Sequence, residues 1–283
     1  MSAGDIEGIG KMKQFDYIII GAGTAGCVLA NRLSAEAGVS VLLLEAGGPY
    51  RHPMLPIPMM AGLSYFIKST NWNYESAPEP HLDNRRIAWP RGKVLGGTSS
   101  INGMMYIRGH RRDYDSWAES GLDGWSYSEV LPYFKRAEGN RDRRDSFHGN
   151  NGPFIAGQAK SNNPLYPVFL EACRQAGHPA TDDFNGAEQE GVGRQDFNIE
   201  KGRRVCSATA YLAPVQGRTN LRVVTRAHAT RLLFQGTRAV GVEYARGGER
   251  KEARAAREVI VCGGAVNSPA LLQHSGLGAA DLL

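Results

Sequence analysis

At 283 residues, 42% of them hydrophobic, the chain can bury one large core or two smaller ones, and its 35 glycines stand at discrete turns, which argues against a disordered protein. The net charge of +5 is scattered among acids, as in Arg141-Asp142-Arg143-Arg144-Asp145, and no nucleic-acid-binding module accompanies it, so nucleic acid is set aside as a partner. Four cysteines, Cys27, Cys173, Cys206 and Cys262, lie far apart without CxxC spacing or a histidine cluster, which sets aside a metal centre and a disulfide framework and favours a reducing compartment.

Residues 1–14 are polar and glycine-rich, lack the apolar core of a secretory signal and read as a flexible leader. No apolar run approaches the roughly 18 residues of a membrane span, which makes the cytoplasm the simplest location. Asp16 to Ile20 is a β-branched run ending at glycine, the pattern of a buried parallel strand. From Thr24 to Ala35 the residues Ala25, Val28, Leu29 and Leu33 recur at helical spacing, and Val39 to Leu44 supplies a second strand. The turn between strand and helix reads GAGTAG, with Gly21 for the tight turn, Gly23 for the approach of a pyrophosphate and Gly26 for close helix–strand packing. Glu45 stands at the tip of the second strand, where its carboxylate can accept from two ribose hydroxyls. This unit suits a dinucleotide without choosing between a nicotinamide and a flavin.

A proline-dense crossing (Pro49, Pro53, Pro56, Pro58) with Met54, Met59 and Met60 leads to a second glycine loop, Arg91 to Asn102, reading RGKVLGGTSSIN. Gly96 and Gly97 remove side chains where a flat ligand comes close, Thr98 and Ser99 can cap a helix or bond a phosphate, and Arg91 and Lys93 add positive charge. Two such loops in one chain suit a cofactor held at more than one point, which a flavin dinucleotide satisfies better than a single nucleotide. Between Trp117 and Pro214 the pattern is mixed, with helical pieces near Ser128 to Ala137 and Pro164 to Ala176. Asn220 to Phe234 and Ala239 to Tyr244 read as strands of a meander, and Glu258 to Cys262 is a late buried strand that can rejoin the first sheet, followed by a helix over Ser268 to Gln273.

The stretches FDYIIIGAGTAGCVLANRLS, VLLLEAGG, NWNYESAPEP, RGKVLGGTSSINGMMYIRG, TDDFNGAEQEGVG and GGAVNSPALLQHSGLG resemble the glucose-methanol-choline oxidoreductases over nearly the whole chain from Phe15, most of all the choline dehydrogenases and related FAD-dependent alcohol dehydrogenases. The resemblance implies an α/β chain, a Rossmann-like FAD-binding fold with an additional β-meander and part of a substrate domain. Residues 15–115 and 200–283 would mainly bind FAD, and 116–199 would be mixed. Gly21, Gly23, Thr24, Ala25, Gly26 and Glu45 would hold the ADP half. Val94, Gly97, Thr98 and the run Asn102, Gly103, Met104 and Met105 would line the pyrophosphate and isoalloxazine, with Arg91 at the entrance and Ala229 beside the adenine. Some members attach the flavin through a histidine at the position of Ile101, so the aliphatic side chain here implies non-covalent FAD.

The same resemblance implies oxidation of a small-molecule alcohol, with a base taking the hydroxyl proton while hydride passes to the flavin N5 atom. Family members are about twice as long and carry their histidine base near the C-terminus; the seven histidines here match no such position, which leaves the catalytic residues unassigned. The alternatives are a flavin-binding fragment without turnover, a different family chemistry (oxidase, lyase or decarboxylase) or, from the first loop alone, a nicotinamide dehydrogenase. The electron acceptor has no signature in the sequence.

Overall fold

A computed structural model of the protein describes residues 14–160 and 162–281. Strand β1 (Gln14–Ile20) buries Ile18, Ile19 and Ile20, helix α1 (Thr24–Leu33) follows, and β2 (Val41–Leu44) is buried along its whole length. A short apolar run covered on both faces behaves this way in a parallel sheet. The expected strand–helix–strand unit is therefore present with ends shifted by a residue or two; apart from Gln14, which opens β1, the expected leader lies outside the described residues.

After several helical turns of three or four residues come three longer helices, α2 (Arg111–Glu119), α3 (Tyr127–Ala137) and α4 (Leu165–Gln175). The sequence pattern announces α3 and α4 but not α2. The reason is its cap: His110 takes the place usually held by Ser, Thr, Asp or Asn, its Nδ1 accepting from the Arg112 amide at 3.2 Å while Asp113 accepts from the His110 amide at 2.9 Å.

The chain closes with β3 (Leu221–Val224), β4 (His228–Gln235), β5 (Arg238–Arg246), β6 (Glu249–Val261) and α5 (Gly264–His274). The single strand expected over Asn220 to Phe234 is two. Arg226 turns the chain at φ 55° between them, and the amides of Arg226 and Ala227 donate to Gly47 and Glu45 carbonyls, both at 2.8 Å. The apolar pattern runs through this turn unbroken, which conceals it. The six strands lie in the order β3-β2-β1-β6-β5-β4. β6 begins well before the expected Glu258: its first half pairs antiparallel with β5 and its second half parallel with β1. Charged residues mask that first half, where only Ala253 and Ala255 turn inward. The late strand does rejoin the first sheet, and α5 starts at Gly264 rather than Ser268. Ile18, Ile20, Leu42, Leu44, Val242 and Leu271 form the centre of this core.

The chain divides into two compact units. The first comprises the described residues of Met1–Tyr50, Lys68–Thr98 and Pro214–Leu283 and contains the six-stranded sheet; the second comprises Arg51–Ile67 and Ser99–Ala213. Residues 99–115 and 200–213, grouped by sequence with the cofactor-binding part, pack in the second unit. There a four-stranded sheet runs Met105–Tyr106, Asp196–Phe197, Phe154–Gln158, Glu138–Asn140. Among the described residues no helix is long and apolar enough to cross a membrane.

Candidate cofactor site

In the first unit the chain leaves β1 through Gly21, whose amide donates to Leu44 O at 2.8 Å. A Cβ on Gly26 would stand 1.9 Å from Gly21 O, so glycine alone lets α1 lie this close to the strand end. Gly23 caps α1 without a side-chain hydrogen bond, and the first turn carries no acid. Its opening amides therefore have no intrahelical or capping partner, while Thr24 and Ala25 are exposed. Such a terminus favours an anion through both free donors and the helix dipole.

The second loop is built onto the first. Gly96 donates to Ala22 O at 2.7 Å, and Gly97, at φ +54°, runs so close that a Cβ there would lie 2.7 Å from Gly23 Cα. Thr98 Oγ1 accepts from the Gly92 amide at 3.1 Å, which ties the loop across its own base. The two glycine motifs thus form one surface, bare of side chains at their junction. Glu45, only 6% exposed, accepts from the Ala22 amide through Oε2 and from the Gly47 amide through Oε1, both at 2.8 Å. Burial pushes its pKa up against the pull of those amides and of Lys93. Each carboxylate oxygen still has a second acceptor position for a ribose hydroxyl.

The charges near the loop are not loose. The Lys93 ammonium sits 4.4 Å from the Trp72 ring centroid, and the Arg91 guanidinium lies 4.4 Å from that of Trp89. Val94 is wholly buried and supports the loop through its carbonyl, which accepts from Gly97 at 2.8 Å. Ala229 is half-buried on β4 opposite Tyr244.

The remaining expected site residues belong to the second unit. Ile101 is fully buried, and its carbonyl accepts from Ser64 Oγ at 2.9 Å. Asn102 Oδ1 accepts from the Met104 amide at 3.1 Å, and Met104 adopts φ 64°, the left-handed region that non-glycine residues seldom enter. Gly103 and Met105 are exposed on this turn. Sequence reasoning missed Arg204, which is 3% exposed. Its Nε donates to Leu55 O at 2.9 Å, and its Nη1 donates to Asn102 O at 2.6 Å and Asn102 Oδ1 at 2.9 Å. The pair Arg203-Arg204 reads as surface charge, and no local signal marks the second arginine as interior.

Sequence reasoning also gave no role to the buried ionic cluster of this unit. Arg108 and Glu138 pair at 2.7 Å, and the His148 ring meets Glu138 through Nδ1 and Asp183 through Nε2, each at 2.9 Å. Burial opposes the charge on His148, but the Asp183 and Glu138 carboxylates raise its pKa from 6.5 to about 9. Asp145 lies close by, so ligand atoms of Asp145, His148 and Asp183 fall within 4.8 Å of one another, with both His148 ring nitrogens within hydrogen-bonding distance of the Glu138 and Asp183 carboxylates.

The chain matches the family described as GMC oxidoreductase over residues 15–282. It is 51% identical over 271 residues to an oxygen-dependent choline dehydrogenase of Burkholderia ambifaria, covering 94% of this chain and 48% of that protein. It is 45% identical to the mitochondrial choline dehydrogenase of Mus musculus, covering 98% of this chain and 47% of that one. Among solved structures it superposes on a pyridoxine 4-oxidase from Mesorbium loti with a TM-score of 0.90 at 35% identity, over 94% of this chain and 53% of the other. The chain thus spans about half the length of the curated relatives it matches. With its joined glycine loops, its parallel sheet and a family match running almost from end to end, the chain belongs to the GMC oxidoreductases, whose cofactor is FAD.

Proposed function

We propose that this chain holds FAD non-covalently as part of an enzyme that oxidises a primary alcohol of the choline type. The observation that carries the reading is the joining of the two glycine loops at Gly23 and Gly97, beside an uncapped helix terminus and the buried carboxylate of Glu45. Bound FAD supplies the hydride acceptor for alcohol oxidation. The opening amides of α1, with Gly21, Gly23, Thr24, Ala25 and Gly26, bind and orient the pyrophosphate, and Glu45 accepts from the ribose. Arg91, Val94, Gly97 and Thr98 shape the second loop, Ala229 offers backbone to the adenine, and Asn102, Gly103, Met104 and Met105 meet the flavin ring. Ile101 has no nucleophile with which to link a flavin.

We assign the proton-accepting role to no histidine of this chain: His148 is held between two carboxylates and His110 caps α2. Its substrate class comes by analogy with the choline dehydrogenases it resembles. A cytoplasmic location goes with the reading, although the mouse relative is named mitochondrial, and cell fractionation tests it.

The primary test is FAD titration of the purified chain followed by desalting. Retained flavin absorbance, weakened by Gly97→Val and Glu45→Ala, is expected; a wild-type chain that takes up no FAD overturns the proposal. The engagement of His148 by two carboxylates and of His110 in capping α2 favours a second reading, a flavin-binding module without turnover of its own. Choline and primary alcohols assayed with an artificial electron acceptor separate the two.

A further inference from the structure

We propose that Arg204 is a positioning residue for the flavin ring, holding the turn Asn102 to Met105 in shape by fixing Asn102 and, through it, the left-handed Met104. The inference rests on the FAD reading above. A methionine at φ 64° is unfavourable in isolation and persists only where its surroundings impose it. The surroundings here are specific. The Asn102 side chain catches the Met104 amide at 3.1 Å, and the Asn198 amide donates to Met104 O at 2.8 Å from the other side.

Asn102 can hold that amide only while its own side chain is fixed. Arg204 Nη1 reaches both the main-chain and the side-chain oxygen of Asn102, at 2.6 and 2.9 Å, and also Ser99 O at 3.3 Å. Arg204 is itself anchored, its Nε donating to Leu55 O and its main-chain amide to Pro56 O, both at 2.9 Å. Three residues along, the Ser207 amide donates to Ser99 Oγ at 3.0 Å, so one segment grips the other at two points. A planar fork suits this task; the ammonium of a lysine is a single point that cannot reproduce the donor set.

The test measures FAD affinity by flavin fluorescence, together with the visible flavin band and, in the FAD-free chain, hydrogen exchange at the Met104 amide. Arg204→Lys is expected to weaken FAD binding about tenfold, shift the band and speed Met104 exchange about tenfold. The Gly149 amide, held by Glu138 Oε2 at 3.0 Å elsewhere in the same unit, should keep its exchange rate, a localisation that a merely structural arginine would not show. Arg204→Gln, which keeps a planar donor group, carries the same test if Arg204→Lys does not fold. Unchanged affinity and exchange in Arg204→Lys, or faster exchange shared equally by the Gly149 amide, overturns the inference. A wild-type chain that binds no FAD overturns the functional reading instead, while the exchange measurement still decides whether Arg204 holds the turn.

Discussion

The two units are held together by different physics. In the first, the strand Val41–Leu44 and the isoleucines of β1 are sealed in an apolar core. In the second, the interior holds Arg108, Glu138, Asn140, His148, Asp196 and Arg204, each no more than 6% exposed, while α4 leaves Leu165, Val168 and Phe169 at 70, 63 and 61% exposure. Apolar burial is nondirectional and tolerates small shifts; a buried ionic cluster depends on every partner being present and in the right charge state. The first unit should therefore respond to lost volume and the second to lost charge.

The sharpest break of that contrast is Glu138→Ala. It strands Arg108 and His148 without their shared carboxylate and should cost about 3–5 kcal/mol, with hydrogen exchange rising in the second unit before the first. Leu43→Ala, at a side chain with no exposure, should cost about 2–5 kcal/mol in urea denaturation and open the first unit instead. If both variants loosen both units equally, the contrast is wrong.

Titration gives the next largest effect. His148 is raised from 6.5 to about 9, so its contribution is complete below pH 6.5 and is lost as pH rises through 9. The loss should amount to roughly 3 kcal/mol at most, confined to the second unit and absent in His148→Gln. Glu138 remains ionised throughout that window, because despite its burial the hydrogen bonds from His148, Asn140 and the Gly149 amide hold its pKa low. The smallest effect belongs to Phe169→Ser, which removes a ring already 61% exposed and should change the melting free energy by no more than about 0.5 kcal/mol. A cost of several kcal/mol there would show that α4 is covered in solution.

What the sequence disclosed follows from range. The β1–α1–β2 unit, both glycine loops and Glu45 are written in contiguous residues, each with a period or spacing that a short window contains. The turn at Arg226 escapes because the apolar pattern continues across it, and the length of β6 escapes because one face of the strand is charged. Arg204 and the Glu138–His148–Asp183 cluster escape for a deeper reason. Their partners lie far apart along the chain, Leu55 and Asn102 for the one, Arg108 and Asp183 for the other, and only the fold brings them into reach. The same sequence that marks where a phosphate can rest leaves unmarked what keeps the neighbouring turn in shape.

The double allegiance of β6 also governs when this molecule can fold. β1 is made first, yet its parallel neighbour on one side is the stretch Arg254 to Val261, and the other neighbour of β2 is β3. On the ribosome, the residues of the second unit emerge before either partner exists, so the central sheet must wait for nearly all of the chain. During that interval the isoleucines of β1 have left the tunnel and not yet gained a core, so their apolar surface stands exposed until β6 arrives.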